Sequence, residues 1–241
     1  MGVALDTVHD EAFVTDYVPL GLQPVSVFAL AAGGDVPPLR TIAGPATGFF
    51  RPMGIAVDPV NDEIFVANYG NKQISVFARG ANGNVRPIRT LNTGLYGATH
   101  IIVDPANDEL ILLTPCVVLA YPRTASGSAA KLRSIAGGQS DPQRMTLDLK
   151  NNEVIVANRA ADSITAHSLT GNDYPPPLRT ISGSATGLNR PAGVADDPFN
   201  NELIVANNLF SIAAFPRVAN GNVAPQRTIS GPATDSVPSS M

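Results

Sequence analysis

The sequence predicts an all-β fold, a five-bladed β-propeller with four antiparallel strands in each blade. Three observations predict it. One phrase recurs five times along the 241 residues, and the same series of short apolar runs accompanies every recurrence. Frequent chain reversals are supplied by 21 glycines and 21 prolines. Four short strands in a repeat of roughly 40–50 residues is the pattern of a propeller blade.

The repeated phrase is clearest as VDPVNDEIFVAN, which begins at Val57. Its first aspartate has a counterpart in every copy, and the five are Asp6, Asp58, Asp104, Asp148 and Asp197. A later phrase, LRTIAG at Leu39, recurs in step with it. We therefore expect a single domain over residues 1–241. Its blades are expected at about 1–50, 51–97, 98–141, 142–189 and 190–234, followed by a tail at 235–241.

The second repeat shows the four strands in order. They are the runs GIAVD, EIFVAN, ISVFAR and PIRTL, each rich in β-branched or aromatic residues. DPVND, between the first two runs, has the composition of a type I turn. NYGNK joins the second run to the third, and GANGNV joins the third to the fourth with an Asn-Gly hairpin signal. Turn chemistry thus bounds each run, as antiparallel strands require.

A single blade has two apolar faces, and a ring of blades buries both against its neighbours. The first run fits a place between blades, because the small Gly54 and Ala56 alternate with the larger Ile55 and Val57. The first repeat starts with its innermost strand and the last ends with its outermost, so no obvious velcro strand closes the ring. Closure by blade-to-blade packing is the prediction. A fragment of a larger ring and an open arc that self-associates are the alternatives.

Composition limits the partners and the location. The net charge of −4 and the pI of about 5.3 give no reason to expect a nucleic-acid partner, which needs a basic surface. No run approaches ~18 apolar residues, so no membrane span is expected. The opening MGVALD has neither the basic segment nor the apolar core of a signal peptide. It lies inside the repeat pattern, which indicates that upstream residues were trimmed.

The one cysteine, Cys116, allows no intrachain disulfide. It opens the apolar run CVVLAY and has no basic neighbour in the sequence that would activate the thiol, so it is expected to be buried and inert. The sequence also lacks a G-x-S-x-G nucleophile elbow, a zinc-ligand spacing and a phosphate-binding loop. Nucleophilic catalysis therefore has little support.

The motif P-x-G-[IV]-A-[VL]-D, as in RPMGIAVD, followed by [IL]-x-V-A-N, resembles the NHL-repeat propellers and the lactonase-like propellers with YVTN-type repeats. The resemblance covers essentially the whole chain. It implies a propeller fold and favours an exported protein, periplasmic or extracellular. Members of such families include protein- and RNA-binding modules, a peptide-amidating lyase, sugar-lactone hydrolases and exported bacterial proteins, and the fold does not choose among them. In the related metal-dependent lactone hydrolases, a Glu, Asn and Asp set holds calcium in the channel. Here the odd glutamate of that set is missing.

The acidic residues of the repeated phrase have two interpretations. Asp58, Asn61, Asp62 and Glu63 offer oxygen donors at close spacing, which suits calcium. Their spacing does not match the D-x-D-x-D-G loop, however, and the same turn occurs in all five repeats. A recurring turn is more economically a chain reversal in which aspartate accepts hydrogen bonds from N–H groups. We therefore expect no cofactor, with calcium as the alternative.

An arginine recurs on the fourth strand, and a glutamate recurs at the head of the second. The arginines are Arg40, Arg89, Arg133, Arg179 and Arg227. The glutamates are Glu11, Glu63, Glu109, Glu153 and Glu202. A cationic belt for a polyanion is conceivable. An arginine stem packed on the blade, with its head paired to the glutamate, is the simpler interpretation.

Positions where one repeat differs from the other four are better candidates for functional residues than the positions that all repeats share. His9 replaces the asparagine of the turn and is expected to be exposed, and His167 takes the aromatic slot held elsewhere by Phe77 and is expected in blade packing. His100 instead replaces the glycine of P-x-G at the channel mouth, and Arg144 takes that position in the next repeat.

One repeat further on, Asp196 replaces the apolar residue before the repeated aspartate. A histidine, an arginine and a carboxylate from consecutive blades can bind a small anion, or act as acid, clamp and base. His100, Arg144 and Asp196 are therefore the first predicted site. The alternative is drift between repeats, with Asp196 deeper and facing a neighbouring blade.

The loops after the second strands form the other predicted site. In a propeller this strand end lies on the same face as the entry to the innermost strand, and these loops differ between repeats. Variable loops on a rigid framework are where binding residues usually lie. The predicted ligand-binding residues there are Asp16, Tyr17, Asn68, Tyr69, Asn158, Arg159 and Asn207.

The sequence thus favours a non-enzymatic propeller that presents its loop face and channel mouth to a protein, a glycan or a small ligand. A metal-dependent lactonase-like hydrolase or lyase, with its site in the central channel, is the alternative. Regular repeats with few charged intrusions favour the binding module.

Overall fold

The structure is a computed structural model, and it describes residues 2–16, 23–94, 96–137, 139–208 and 210–231. Over these ranges the chain forms twenty β-strands and a single turn of 3-10 helix at Pro45–Thr47. No helix in the described ranges is long and apolar enough to cross a bilayer.

Each repeat forms four strands. The first holds β1 (Gly2–Asp6), β2 (Glu11–Thr15), β3 (Val25–Ala29) and β4 (Arg40–Ile42). The second holds β5 (Pro52–Asp58), β6 (Glu63–Asn68), β7 (Gln73–Ala78) and β8 (Arg89–Asn92). The third holds β9 (His100–Asp104), β10 (Glu109–Leu113), β11 (Val117–Pro122) and β12 (Arg133–Gly137). The fourth holds β13 (Pro142–Asp148), β14 (Glu153–Asn158), β15 (Ser163–Ser168) and β16 (Arg179–Ile181). The fifth holds β17 (Pro191–Asp197), β18 (Glu202–Asn207), β19 (Ser211–Pro216) and β20 (Arg227–Ile229).

Every sheet is built from four consecutive strands, and neighbours along the chain are neighbours in the sheet. The strands predicted for the second repeat overlap β5 to β8, with every end within two residues of the predicted one. The pairing of β5 with β6 and of β6 with β7 is antiparallel. The four-strand repeat predicted from the sequence is therefore confirmed.

The chain divides into two compact units, Met1–Leu132 and Arg133–Met241. In unit 1 the first two sheets share a buried cluster that includes Phe13, Ile64 and Phe77. A second cluster in unit 1 joins the second and third repeats around Phe65 and Leu110. The core of unit 2 joins the fourth and fifth repeats, and it includes Ile155, Val205 and Phe215. Apolar faces of successive sheets are thus buried against each other within each unit.

Candidate functional site

The repeated aspartate stabilises a turn by accepting hydrogen bonds from other residues of that turn. The Asp58 carboxylate accepts hydrogen bonds from the backbone N–H groups of Val60 and Asn61, both at 3.1 Å, and from the Asn61 side-chain amide at 2.8 Å. Asp104, Asp148 and Asp197 bind the asparagine of their own turns in the same way. This confirms the structural interpretation of the repeated phrase.

His9 completes the turn of the first repeat. Its Nδ1 lies 2.8 Å from Asp6 Oδ2, where the other repeats place an asparagine amide. Burial opposes ionisation of Asp6, but the hydrogen bonds from His9 and Val8 prevail and lower the pKa of this carboxyl. His9 therefore has a structural partner, although its side chain is partly exposed.

The recurrent glutamates pair with the recurrent arginines of the fourth strands. Arg40 Nη2 donates to Glu11 Oε2 at 2.8 Å, and Arg89 Nη2 donates to Glu63 Oε2 at 2.7 Å. Arg179 pairs with Glu153, and Arg227 with Glu202. The hydrogen bonds from Arg40 lower the pKa of Glu11 against the opposing effect of burial. The predicted pairing is confirmed in these four repeats, where the guanidinium is occupied within its own sheet.

A second arginine, at the end of the third strand, fastens neighbouring repeats in unit 1. Arg79 Nη1 donates to Glu11 of the preceding repeat at 2.9 Å, and its Nε donates to Asp62 at 2.7 Å. Arg123 repeats this arrangement with Glu63 at 3.0 Å and Asp108 at 2.5 Å. These contacts were not predicted from the sequence, although the arginine that ends both FAR and YPR marks the position.

Unit 2 contains a buried variant of the same arrangement. Arg217 directly follows the third strand of the fifth repeat and is 1% exposed. Its Nη2 contacts Asp148 and lies 2.8 Å from Asp196 Oδ2. The turn residue that is Asp62 in the second repeat is Asn201 here. Asp196 thus supplies a carboxylate where the fifth repeat lacks one.

The electrostatics of Asp196 follow from this position. Burial raises the pKa of its carboxyl, and the neighbouring Arg217 opposes that rise. The repeat pattern predicts Asp196 in one site with His100 and Arg144. The structure pairs it with Arg217, in line with the alternative of a deeper residue.

His100 and Arg144 occupy the predicted position at the start of the first strand. His100 lies opposite Leu113 and Arg144 opposite Ala157, as Gly54 lies opposite Ala67. Glycine suits this register because a Cβ at Gly54 would lie 3.1 Å from the backbone of His100. His100 belongs to unit 1 and Arg144 to unit 2.

The Arg144 side chain is half-buried, and its Nη1 donates to the carbonyl oxygen of Gln143 at 2.9 Å. Burial lowers the pKa of its guanidinium, so solvation of this charge is incomplete. The role of His100 and Arg144 in ligand binding stays a prediction.

Two of the predicted loop asparagines hold the loop that enters their sheet. Asn68 is fully buried, and its Oδ1 accepts a hydrogen bond from the Phe50 N–H at 3.1 Å. Asn207 accepts one from the Asn189 N–H at 3.0 Å. These side chains therefore serve the framework that supports the loops.

Asn158 departs from its two counterparts. Its Nδ2 donates to Thr165 Oγ1 at 2.9 Å, but no described residue donates a hydrogen bond to its buried Oδ1. Tyr69 and Arg159, two more of the predicted loop residues, contact residues of their own repeats. The Tyr69 ring faces the Arg51 guanidinium at 5.2 Å, and Arg159 Nε donates to Asp141 at 2.7 Å.

Two further loop residues complete the prediction. Asp16 is exposed at the end of β2. Tyr17 lies outside the described residues.

Two expectations about reactive groups can be compared with the structure. Cys116 is exposed, so the expectation of burial is wrong. The residue lies in the tight turn before β11, where Thr114 Oγ1 accepts the Val117 N–H at 3.1 Å and holds the chain at the surface. Within the described ranges, no three His, Cys, Asp or Glu side chains are grouped to hold a metal ion.

Comparisons with known proteins add a family and a fold. The arylesterase family profile matches residues 39–172. No curated protein sequence matches the chain. Among solved structures, one titled as a nidogen/laminin complex matches with a TM-score of 0.69 at 16% identity, covering 97% of this chain and 80% of that one. The WD40 β-propeller domain of Doa1 matches with a TM-score of 0.65 at 13% identity, covering 95% of this chain and 68% of that one.

These likenesses show the fold class, a five-bladed β-propeller with four antiparallel strands in each blade. At such low identity they show the fold alone, because one fold supports many unrelated functions.

Proposed function

The chain belongs to the arylesterase family, and from that premise we propose that it is a non-enzymatic member, a propeller module that binds a ligand and does not hydrolyse it. One observation carries the proposal: the glutamates are engaged by the framework. All five glutamates in the sequence head a second strand, and four of them hold the arginine of their own sheet.

In related lactone hydrolases, a glutamate, an asparagine and an aspartate in the channel ligate calcium. The corresponding residue types in this chain can be compared with that set. The repeated aspartates accept hydrogen bonds within their turns, Glu63 holds both Arg89 and Arg123, and Asn68 holds the backbone of Phe50. A carboxylate already bound to guanidinium groups would have to lose those contacts to ligate calcium. These residues do not fit that metal set, so no catalytic step is derived through it.

In this proposal each unit has its own binding surface, formed by the first-strand entries and the loops after the second strands, with His100 in unit 1 and Arg144 in unit 2. His100 and Arg144 offer a titratable ring and a partly desolvated cation at equivalent places in their sheets. Such groups suit an anionic group on a protein, a glycan or a small ligand.

A metal-dependent lactonase-like hydrolase or lyase is the second candidate, and the family match favours it. In that case His100 and Arg144 are the groups to assign to proton transfer and charge stabilisation.

Hydrolysis assays separate the two candidates. Wild-type protein is tested with phenyl acetate and with five- and six-membered lactones, with and without calcium. We expect no turnover above the buffer rate, and no difference between wild type and the His100→Ala/Arg144→Ala double variant. Turnover that both calcium removal and this double variant abolish would establish the hydrolase instead.

A further inference from the structure

Within each unit, successive sheets join through one recurring contact. We call the side of a sheet toward the preceding repeat its leading face and the side toward the following repeat its trailing face. In unit 1, Ile55 and Ile64 on the leading face of the second sheet share a buried cluster with Ile42 on the trailing face of the first. In unit 2, Leu203 on the leading face of the fifth sheet shares a cluster with Ile181 on the trailing face of the fourth. Each contact therefore joins one face of each kind.

Backbone hydrogen bonds reinforce this contact at the fourth strand. The Gly83 N–H, in the loop before the fourth strand of the second repeat, donates to the Thr41 carbonyl oxygen of the first repeat at 2.7 Å. In unit 2 the Gly221 N–H donates to the Thr180 carbonyl oxygen at the same distance. These glycines have φ of 73° and 79°, a conformation that favours glycine. The contact thus combines apolar burial with pairing along the edge of a sheet.

The trailing face of the fifth sheet carries the apolar residues of this contact, but they are exposed. Ile229 is 56% exposed and Ile212 is 42% exposed. Their counterparts in the other four repeats are at most 1% exposed, and they are Ile42, Leu91, Ile135 and Ile181 for Ile229, and Val25, Ile74, Val118 and Ile164 for Ile212. This face therefore has the composition of a buried contact without its burial.

The polar groups of the same face lack the forward partners that other repeats provide. In the first repeat, Arg40 Nη2 donates to the carbonyl oxygen of Arg79 in the next repeat at 2.9 Å. Arg227 pairs with Glu202 of its own sheet, and its side chain is 57% exposed. Within the described ranges, no backbone N–H outside its own sheet binds the Thr228 carbonyl oxygen. An open strand edge beside an apolar face readily pairs with another chain.

The leading face of the first sheet is the complementary half. Val3 is 53% exposed, whereas its counterparts Ile55 and Ile101 are at most 3% exposed. Leu5 is 56% exposed, and the valines in its place in the second and third repeats pack against buried clusters. Gly34 has a φ of 74°, the conformation of the glycines that donate in later repeats, and no described residue accepts a hydrogen bond from its N–H.

We infer that the trailing face of the fifth sheet binds the leading face of the first sheet in a second copy of this chain. The second copy is the partner because each face carries the half of the recurring contact that the other face lacks. In the docked pair the apolar residues of the two faces cover each other, and the Gly34 N–H of one copy donates to the Thr228 carbonyl oxygen of the other. Such a head-to-tail contact uses different surfaces on the two copies, so further copies can add to it.

Lysine substitutions disable the two faces separately. Val3→Lys disables the leading face and Ile229→Lys the trailing face, because each would bury an unpaired charge in the contact. Both side chains are exposed in the single chain, so we expect both variants to fold, as circular dichroism would show. Val60→Lys is the matched control, since Val60 is 83% exposed in the turn after β5 and belongs to neither face.

Sedimentation velocity from micromolar to millimolar protein measures the outcome. We expect wild type and Val60→Lys to form oligomers that grow with concentration. Either face variant alone is expected to associate more weakly by about tenfold or more. An equimolar mixture of the two face variants is expected to form dimers that do not grow. In that mixture the intact trailing face of the Val3→Lys protein meets the intact leading face of the Ile229→Lys protein.

A wild type that stays monomeric over this range would overturn the inference, and the two faces would then be covered within the chain. A face variant that associates on its own as strongly as wild type would also overturn it, because the copies would then join through other surfaces. So would a mixture of the two variants that forms no dimer. Ligand binding is independent of this contact, since the residues of the two faces lie outside the predicted ligand site.

Discussion

Replacement of Arg217 by leucine is expected to lower the free energy of unfolding by about 3–5 kcal/mol, the usual cost of removing one partner of a buried ion pair. Arg217 is 1% exposed and contacts both Asp148 and Asp196. Its loss leaves two buried carboxylates near each other without a cation. Urea unfolding at pH 7, monitored by circular dichroism, measures the change.

Leucine is a fair substitute because the first and fourth repeats carry Leu30 and Leu169 at this position. The matched rescue is Arg217→Leu/Asp196→Val, since the second and third repeats have valine in place of Asp196. We expect the second substitution to recover most of the lost stability. If the single variant is as stable as wild type, or the double variant no better than the single, the ion pair does not have the role assigned to it.

Replacement of Phe65 by alanine is expected to cost about 3–5 kcal/mol, as for other buried phenylalanines. Phe65 is fully buried in the cluster that joins the second and third repeats, and the Arg89 guanidinium lies 5.5 Å from its ring centroid. The substitution removes this packing and leaves a cavity. Chemical denaturation, with the slope against urea compared between variants, measures the loss.

Phe199→Ala is the matched control for this prediction. Phe199 is 93% exposed in the turn after the repeated aspartate of the fifth repeat. We expect its loss to change the unfolding free energy little. Equal costs for the two substitutions would contradict the assigned core.

Much of the fold could be predicted because its determinants are local and repeated. Short apolar runs bounded by turn residues, such as Asn-Gly at 82–83 and Asp-Pro at 58–59, indicate the strands. Five aligned copies then show where the strands begin and end. The pairing of Glu63 with Arg89 was also predictable, since both residues lie in one repeat and recur in step.

The contacts that were missed depend on which segments the fold brings together. Arg79 binds Glu11 of the preceding repeat, and nothing local to either residue indicates that contact. Cys116 was expected to be buried from its apolar neighbours, but a tight turn set by Thr114 holds it at the surface. Turn geometry overrode local hydrophobicity there.

The candidate site was predictable in part. Alignment of the five repeats identified four polar residues that replace the small or apolar residues of the other repeats: His100, Arg144, His167 and Asp196. Such replacements indicate positions where a side chain has a role other than packing. It did not show that Asp196 meets Arg217 or that His167 meets Gln139. Those partners lie on other segments of the chain, and the repeat pattern does not show which segments the fold brings together.

We propose that the acids of this propeller belong to its framework and not to a metal centre. The most direct test is the unfolding temperature measured in millimolar calcium and again after chelation. We expect the same unfolding temperature in both conditions. A ligand that binds only the folded state raises the free energy of unfolding by about 2.7 kcal/mol when its concentration is a hundred times its Kd. A rise of several degrees with calcium that the chelator reverses would show instead that some of these acids bind the metal.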